Sequence, residues 1–458
     1  MRLEDDTLDE SINPSAVNSE KLSPGLGLIM EASRPLAEPL RLDLTNISEI
    51  AIARMGNSDQ RTCERHGENR LLLHIPDRLI SRDTHAIIGR DAAGQWRIRD
   101  MGSKNGVSVN GVRVRELPLV EDALLEIGAT YFYFRVRASA RHPRYLFDPP
   151  STLTTLNTLL AANFRRIREL APSMIPVLIR GETGTGKEVV ARAVHELSGR
   201  EGRLVAVNCG AVPSSIIESE LFGCVKGAYS GASRDRPGLI RAAHGGTLFL
   251  DEIAELGLPA QVALLRVLQE REVLPVGAST PIPVDVRIIA ATHQDLPARV
   301  ESKAFRQDLY GRLDGFNLVL PALRNRREDI GILVGALLRR MCGTDADDIT
   351  LQRSAARALF DYDWPQNIRE LEQAIRYAVS LASNQTIQLE HLPEKLRKKA
   401  TPTNALSEDH LLQRAHLTEL LTKHRGNVSA VAREMGRQRV SVHRWLKRFG
   451  ISPKPFRV

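Results

Sequence analysis

One octapeptide limits the folds open to this chain more than any other stretch: Gly181-Glu182-Thr183-Gly184-Thr185-Gly186-Lys187-Glu188. It follows an apolar run, Ile175 to Ile179, that reads as a buried parallel strand. The residues after it, Val189 to Leu197, read as an amphipathic helix. Strand, Gly-rich turn and helix make a phosphate cradle, because glycines let backbone N–H groups converge on phosphate oxygens at a helix N-terminus. Lys187 would reach the β- and γ-phosphates. Glu188 stands where Ser or Thr usually ligates Mg²⁺.

The second signal lies about sixty residues on. Gly245 to Asp251 is an apolar strand ending in Asp251-Glu252. In an open parallel sheet, ligands gather at the carboxyl ends of strands. Asp251 there can hold Mg²⁺, and Glu252 can orient or deprotonate the attacking water. Val286 to His293 is another buried strand with a polar end, so Thr292 or His293 can sense the γ-phosphate. Arg306 and Arg312 lie six apart, and Arg369 falls in a later helical region. Arginines so placed can neutralise transition-state charge, in cis or from a neighbouring subunit.

The remaining chain divides by pattern. Its 458 residues suggest about three domains. Residues 1 to 40, rich in acids, are expected to be a mobile tail. From 41 to 137 the period is two, as in Trp96-Arg97-Ile98-Arg99 and Tyr131 to Val136, which predicts an all-β domain. A polar linker is expected over 138–150. Strand and helix signals alternate over 151–325, predicting an α/β unit. Residues 326–397 read as helical without strands, 398–405 as a linker, and 406–458 as a helical, basic end.

That basic end carries eleven Lys and Arg from 411 onward against Glu419 and Glu434. Val428, Val431, Ala432 and Met435 form one apolar face behind a good N-cap, Asn427. After a turn at Gly436, the residues Val442, Trp445, Leu446 and Phe449 form a second. Two helices about a Gly turn predict a helix-turn-helix. It leaves Arg437, Gln438, Arg439, Ser441, His443, Arg444, Lys447 and Arg448 free for phosphates and base edges of double-stranded DNA.

Four scattered cysteines without C-x-x-C spacing argue against a disulfide framework or a Cys-zinc site and for a reducing compartment. No apolar run approaches membrane-spanning length, and the acidic N-terminus is no signal peptide. A cytoplasmic protein without a membrane partner is the expectation.

Residues 151–397 resemble the central AAA+ domain of sigma-54-dependent transcriptional activators. The likeness rests on GETGTGKE, GGTLFLDE, FRQDLYGRLDGFNLVLPALRNRREDI, DWPQNIRELEQ and ESELFGCVKGAYSGA. Glu188 after the loop lysine is usual in that family. The resemblance implies ATP and Mg²⁺, with residues 181–188 as the cradle. It implies arginine fingers at Arg306 and Arg312, acting in trans in a hexameric ring. Arg369 matches the lid sensor and His293 the first sensor. Asn208 matches the residue coupling Glu252 to ring state. Gly227-Ala228-Tyr229-Ser230-Gly231-Ala232 resembles the GAFTGA loop that grips sigma-54, with Tyr for Phe and Ser for Thr. The C-terminus resembles the family's Fis-type helix-turn-helix.

Residues 41–137 resemble a forkhead-associated (FHA) domain through Ile52-Ala53-Arg54, Ile80 to His85, and Asp100 to Gly111. That family binds phosphothreonine peptides. By the match, Arg54 and Ser81 contact phosphate and Asn105 the peptide backbone. Ala53 replaces the usual Gly, and His85 falls four residues after Ser81 rather than three. The whole implies an ATP-hydrolysing activator of sigma-54 RNA polymerase, bound to upstream DNA and answering a phosphothreonine signal. Remodelling of another target, or repression with a vestigial ATPase, are the alternatives. The intact Lys187, Asp251, Glu252 and finger arginines argue against the last.

Overall fold

Alternating apolar residues build the first unit, a sandwich of two six-stranded sheets. The computed structural model describes residues 22–54, 60–139, 153–228, 234–382, 384–400, 408–449, 451 and 453. The strands are β1 (Leu22–Glu31), β2 (Leu40–Asp43), β3 (Glu49–Ala53), β4 (Thr62–His66), β5 (Arg70–His74) and β6 (Ala86–Arg90). They continue as β7 (Trp96–Asp100), β8 (Val107–Val109), β9 (Val112–Val114), β10 (Glu116–Pro118), β11 (Ala123–Ile127) and β12 (Thr130–Ser139). One sheet runs β2-β1-β12-β11-β8-β9, the other β10-β7-β6-β3-β5-β4. Ile50, Ile52, Ile88, Ile98, Leu125, Phe132 and Phe134 fill the space between them.

Two boundaries differ from expectation. The tail expected over 1–40 contains β1, which pairs antiparallel with β12 from Leu22 opposite Ser139 to Glu31 opposite Thr130. Its Pro24, Gly25 and Gly27 obscure the period-two pattern, while Leu26 and Leu28 are buried. Residues 1–21 lie outside the described set. The linker expected from 138 begins later, because β12 continues to Ser139; residues 140–152 are not described.

The α/β unit has five parallel strands: β13 (Val177–Arg180), β14 (Leu204–Asn208), β15 (Thr247–Asp251), β16 (Arg287–Thr292) and β17 (Phe316–Val319). Their order is β14-β15-β16-β13-β17. Strand β13 starts after Pro176, which has no N–H to give a sheet ladder. Helices α1 (Thr158–Leu170), α2 (Lys187–Leu197) and α3 (Gln307–Leu313) belong to this unit. Parallel pairing of β16 with both β15 and β13 puts the carboxyl ends of the three strands side by side.

The lid is α4 (Ile330–Cys342), α5 (Arg353–Asp361), α6 (Asn367–Leu381) and α7 (Glu394–Ala400). Helix α7 enters the linker expected at 398; residues 401–407 are not described. A strand pair does occur where none was expected: Thr350–Leu351 runs parallel to Thr386–Ile387, too short to show a period. Trp364 is fully buried and donates its indole N–H to Leu359 O at 2.9 Å. Trp364→Ala is expected to cost about 3–5 kcal/mol, read as a lower urea midpoint of the lid transition.

The last unit is α8 (Glu408–Lys423), α9 (Val428–Glu434) and α10 (Arg439–Phe449). The expected apolar faces of α9 and α10 meet, and Leu417, Leu420 and Leu421 of α8 complete their core. Asn427 caps α9 by accepting from Ser429 N and Ala430 N. Among the described residues, no helix is long and apolar enough to cross a membrane.

Candidate nucleotide site and associated surfaces

The Gly-rich turn follows β13 and ends in α2. Gly184 and Gly186 take φ of 79° and 100°, values that favour glycine. A Cβ on Gly184 would collide with the Gln366 carbonyl, so the turn also needs glycine for its approach to the lid. Ile368 N donates to Gly184 O at 2.9 Å, and Asn367 Nδ2 donates to Thr183 O at 3.0 Å and Glu182 Oε2 at 3.2 Å. Arg326 donates to Thr185 O at 2.8 Å, and Arg324 pairs with Glu182. Four lid-side residues, Ile368, Asn367, Arg326 and Arg324, therefore hold the turn, and none of them was a candidate from sequence. The lid residue that was singled out is Arg369. Its Cβ lies near the Gly184 position, at the base of an exposed side chain.

Lys187 is 7% exposed. Its ammonium donates to Gly181 O at 3.1 Å and lies 3.5 Å from Glu252 Oε1. The other Glu252 oxygen is 2.7 Å from His293 Nδ1. Glu252 itself has φ 52°, a strained value for a non-glycine residue that is typical of functional positions. Asp251 sits at the end of β15, where burial pushes its carboxyl above the ordinary range while Lys187 pulls it down. Lys187, Asp251, Glu252 and His293 thus converge from three elements. Thr292 does not join them: it is buried and its hydroxyl accepts from Gln294 N.

Other candidates fall elsewhere. Asn208 is the register partner of Asp251, but its side-chain oxygen accepts from Gly210 N and Ala211 N. The side chains on the Glu252 carboxylate are those of His293 and Lys187. Glu188 points outward to Arg192 at 3.3 Å. Arg306 and Arg312 are exposed, Arg306 in a two-pronged pair with Asp308. Of the loop at 227–232, Gly227 and Ala228 are described, and Tyr229, Ser230, Gly231 and Ala232 lie outside the described residues.

In the sandwich, three loops meet around residues 78–81. Arg54 N donates to Ser81 O at 2.8 Å, and its guanidinium donates to Arg78 O at 3.3 Å. Asn105 Nδ2 donates to Leu79 O at 2.6 Å. His85, fully buried, reaches Ser81 despite the longer spacing: Nδ1 accepts from Ser81 N at 3.0 Å and Nε2 faces Gly106 O at 3.3 Å. Burial lowers its pKa and keeps it neutral, so it pins two loops. Arg54 Nε is buried with no hydrogen-bond partner, a donor left for an anion. In the C-terminal unit Arg437, Gln438, Arg439, His443, Arg444 and Lys447 are exposed and Ser441 half-buried. The Arg448 side chain is outside the described set.

Three family models match the chain: a sigma-54 interaction domain over residues 153–319, an AAA+ ATPase lid domain over 324–409, and an FHA domain over 65–128. The transcriptional regulatory protein GlrR of Escherichia coli K12 is 40% identical over 308 residues, which cover 67% of this chain and 69% of GlrR. The response regulator PilR of Pseudomonas aeruginosa PAO1 is 43% identical over 297 residues, 62% of this chain and 67% of PilR. The hydrogenase regulator HoxA of Bradyrhizobium diazoefficiens is 38% identical over 346 residues, 72% of this chain and 71% of HoxA. Among solved structures, NtrX of Brucella abortus in complex with ADP aligns with a TM-score of 0.50 at 29% identity, covering 65% of this chain and 70% of that one.

Proposed function

We propose that this chain, which belongs to the family of sigma-54-dependent transcriptional activators, couples ATP hydrolysis to promoter opening at upstream DNA sites and does so under phosphothreonine control. The observation that carries the reading is the convergence of Lys187, Asp251, Glu252 and His293 at the foot of a Gly-rich turn. The turn's backbone N–H groups and Lys187 bind the phosphates, so Lys187 leaves Glu252 when nucleotide enters. Glu252, then steered by His293, orients the attacking water. A single strand-end carboxylate suits Mg²⁺, which keeps most of its ligands as water and phosphate oxygen. Asp251 would hold that ion, and the ion would neutralise charge on the phosphoryl group. Arg306 and Arg312, exposed and away from their own turn, act on the nucleotide of a neighbouring protomer in a ring. Arg369 reads the nucleotide from the lid.

Residues 227–232 are the segment that pushes on sigma-54, and α10 enters the major groove of DNA. Arg54, Ser81 and Asn105 bind phosphothreonine, with the unpartnered Arg54 Nε supporting the assignment. The direct test is open-complex formation by purified sigma-54 RNA polymerase on a promoter carrying upstream sites, with and without ATP. No ATP-dependent stimulation overturns the reading. A narrower test concerns DNA. Arg439→Ala, at the exposed start of α10, is expected to weaken specific binding by about 1–3 kcal/mol. Deleting 406–458 removes both the binding and its steep fall with salt. Gel-shift titrations at several salt concentrations check both.

A further inference from the structure

The sandwich is seated on the ATPase lid through a surface built for the purpose. Lid helix α4 presents Gly331 and Gly335, one turn apart. A Cβ on Gly331 would collide with Ile29 O of β1, and one on Gly335 would lie 2.9 Å from Pro35 O. Two glycines let the backbones touch where any side chain would hold them apart. Beside this seam, Tyr131 of β12 stacks on Phe360 of α5 with centroids 5.0 Å apart and donates its hydroxyl to Arg353 O at 2.8 Å. Leu351 N donates to Ala32 O at 2.7 Å. Glu126 of β11 is 3% exposed, and its carboxylate is held by Arg353 and by two 2.7 Å bonds from Arg357. A carboxylate so deeply buried is tolerable only with such partners, and both come from the lid.

The same contact straddles the hinge between lid and core. Arg135 of β12 pairs with Glu328 at 3.0 Å, just before α4. Glu328 also accepts from Asn157, the N-cap of α1, at 3.0 Å. Adjacent Asp329 accepts from Thr155 Oγ1 at 2.6 Å and Leu156 N at 2.7 Å. Arg326, 3.8 Å from Asp329, donates to Thr185 O inside the phosphate turn. A continuous polar chain thus runs from the sandwich, across the hinge, to the nucleotide loop.

We infer that the docked sandwich is a clamp that holds lid and core in one pose and slows ATP turnover. AAA+ turnover requires lid and core to move against each other, and a body seated on the lid and tied through Glu328 to the Asn157 cap of α1 opposes that motion. The phosphothreonine surface is wired to the clamp. Asp77, three residues before Ile80-Ser81, accepts from Ala129 N at 2.6 Å and Thr130 Oγ1 at 3.0 Å, in the β11–β12 turn that rests on the lid. Phosphopeptide binding at residues 78–81 would shift that turn and loosen the seat. This last coupling rests on the phosphothreonine reading above; the clamp itself does not.

The test uses the full chain. Glu126→Arg faces Arg353 and Arg357 with like charge, and Gly331→Trp drives β1 off α4. Both variants are expected to raise ATP turnover about five-fold or more, the lower end of coupling between linked sites, and to expand the particle in small-angle scattering. Adding Arg353→Glu and Arg357→Glu to Glu126→Arg is expected to bring both readings back near wild type, which simple damage to the fold would not do. Turnover unchanged or lowered in both single variants overturns the clamp. A pool of degenerate phosphothreonine peptides is expected to raise wild-type turnover and to leave Arg54→Ala unmoved. If the variants activate and the pool does not, the clamp stands and the phosphothreonine reading falls. If the pool binds and the variants do nothing, the reverse holds.

Discussion

Lys187→Ala is expected to lower ATP turnover by a factor of about 10²–10³, the effect of removing one preorganised charge from a developing anion. The side chain is 7% exposed and its ammonium is held between Gly181 O and Glu252 Oε1. Without nucleotide it therefore neutralises the Glu252 carboxylate; with nucleotide it must turn to the phosphates. Alanine removes both roles. Glu252 would keep His293 as its partner at 2.7 Å, and the turn would lose the buried ammonium that it supplies itself. Fluorescent nucleotide titration should show weakened binding alongside lost hydrolysis. Lys187→Arg keeps the charge but not the compact ammonium, and is expected to recover binding better than turnover. Circular dichroism melting controls for folding, since α2 begins at this residue. Turnover within a few-fold of wild type in Lys187→Ala would move the chemistry away from this turn.

The turn was legible because three signals coincide in the sequence: an apolar strand, glycines at fixed offsets, and a lysine opening a helix. The strand-end carboxylates were legible for the same reason. What the lid contributes was not. Asn367, Arg326 and Arg324 reach the turn from more than 135 residues away, and no local period announces such bonds. His293 was singled out as a sensor, yet its contact with Glu252 needed β15 and β16 to be neighbours. Asn208 shows what a strand register alone leaves open. Register puts it beside Asp251, but its carbonyl turns back on its own loop, as Asn side chains commonly do.

The sandwich shows how a pattern can be read correctly and understood halfway. Tyr131 to Phe134 alternate as a strand should, and period two normally means one dry face and one wet face. Here both faces are dry: Phe132 and Phe134 enter the sandwich core, while Tyr131 and Tyr133 join the lid core. Two tyrosines facing outward were the sequence trace of a domain interface, and Glu126 between Leu125 and Ile127 was another. Strand β1 stayed hidden because Pro24, Gly25 and Gly27 carry no strand signal.

Ser230→Ala is expected to leave ATP turnover within about two-fold, since it removes a single hydroxyl from a residue that is no part of the phosphate-binding sequence and changes of that size are worth little to a fold, while open-complex yield falls to the level seen without activator. The argument begins at the base of the loop. Cys224, buried, bridges Arg236 on one side and Val276 on the other. Lys226 N donates to Asp235 Oδ1 at 2.7 Å, and Gly227 turns with φ 85°. Ala228 packs so closely on Gly277 that a Cβ there would lie 2.7 Å from the Ala228 Cβ. The stalk is thus bonded to the α/β unit, so a nucleotide-driven shift of that unit must be carried outward to residues 229–232. What those residues present is an aromatic ring and a hydroxyl, one apolar anchor and one hydrogen-bonding group. Losing the hydroxyl removes a bond to the partner without disturbing its mount. Tyr229→Phe, which keeps the ring, is expected to retain promoter opening, whereas Tyr229→Ala is expected to abolish it. Parallel measurements of phosphate release and of permanganate-reactive promoter DNA separate the two functions. Normal promoter opening by Ser230→Ala and Tyr229→Ala together would mean that the force of hydrolysis leaves the protein by another surface, and that sigma-54 is gripped elsewhere or is not the target.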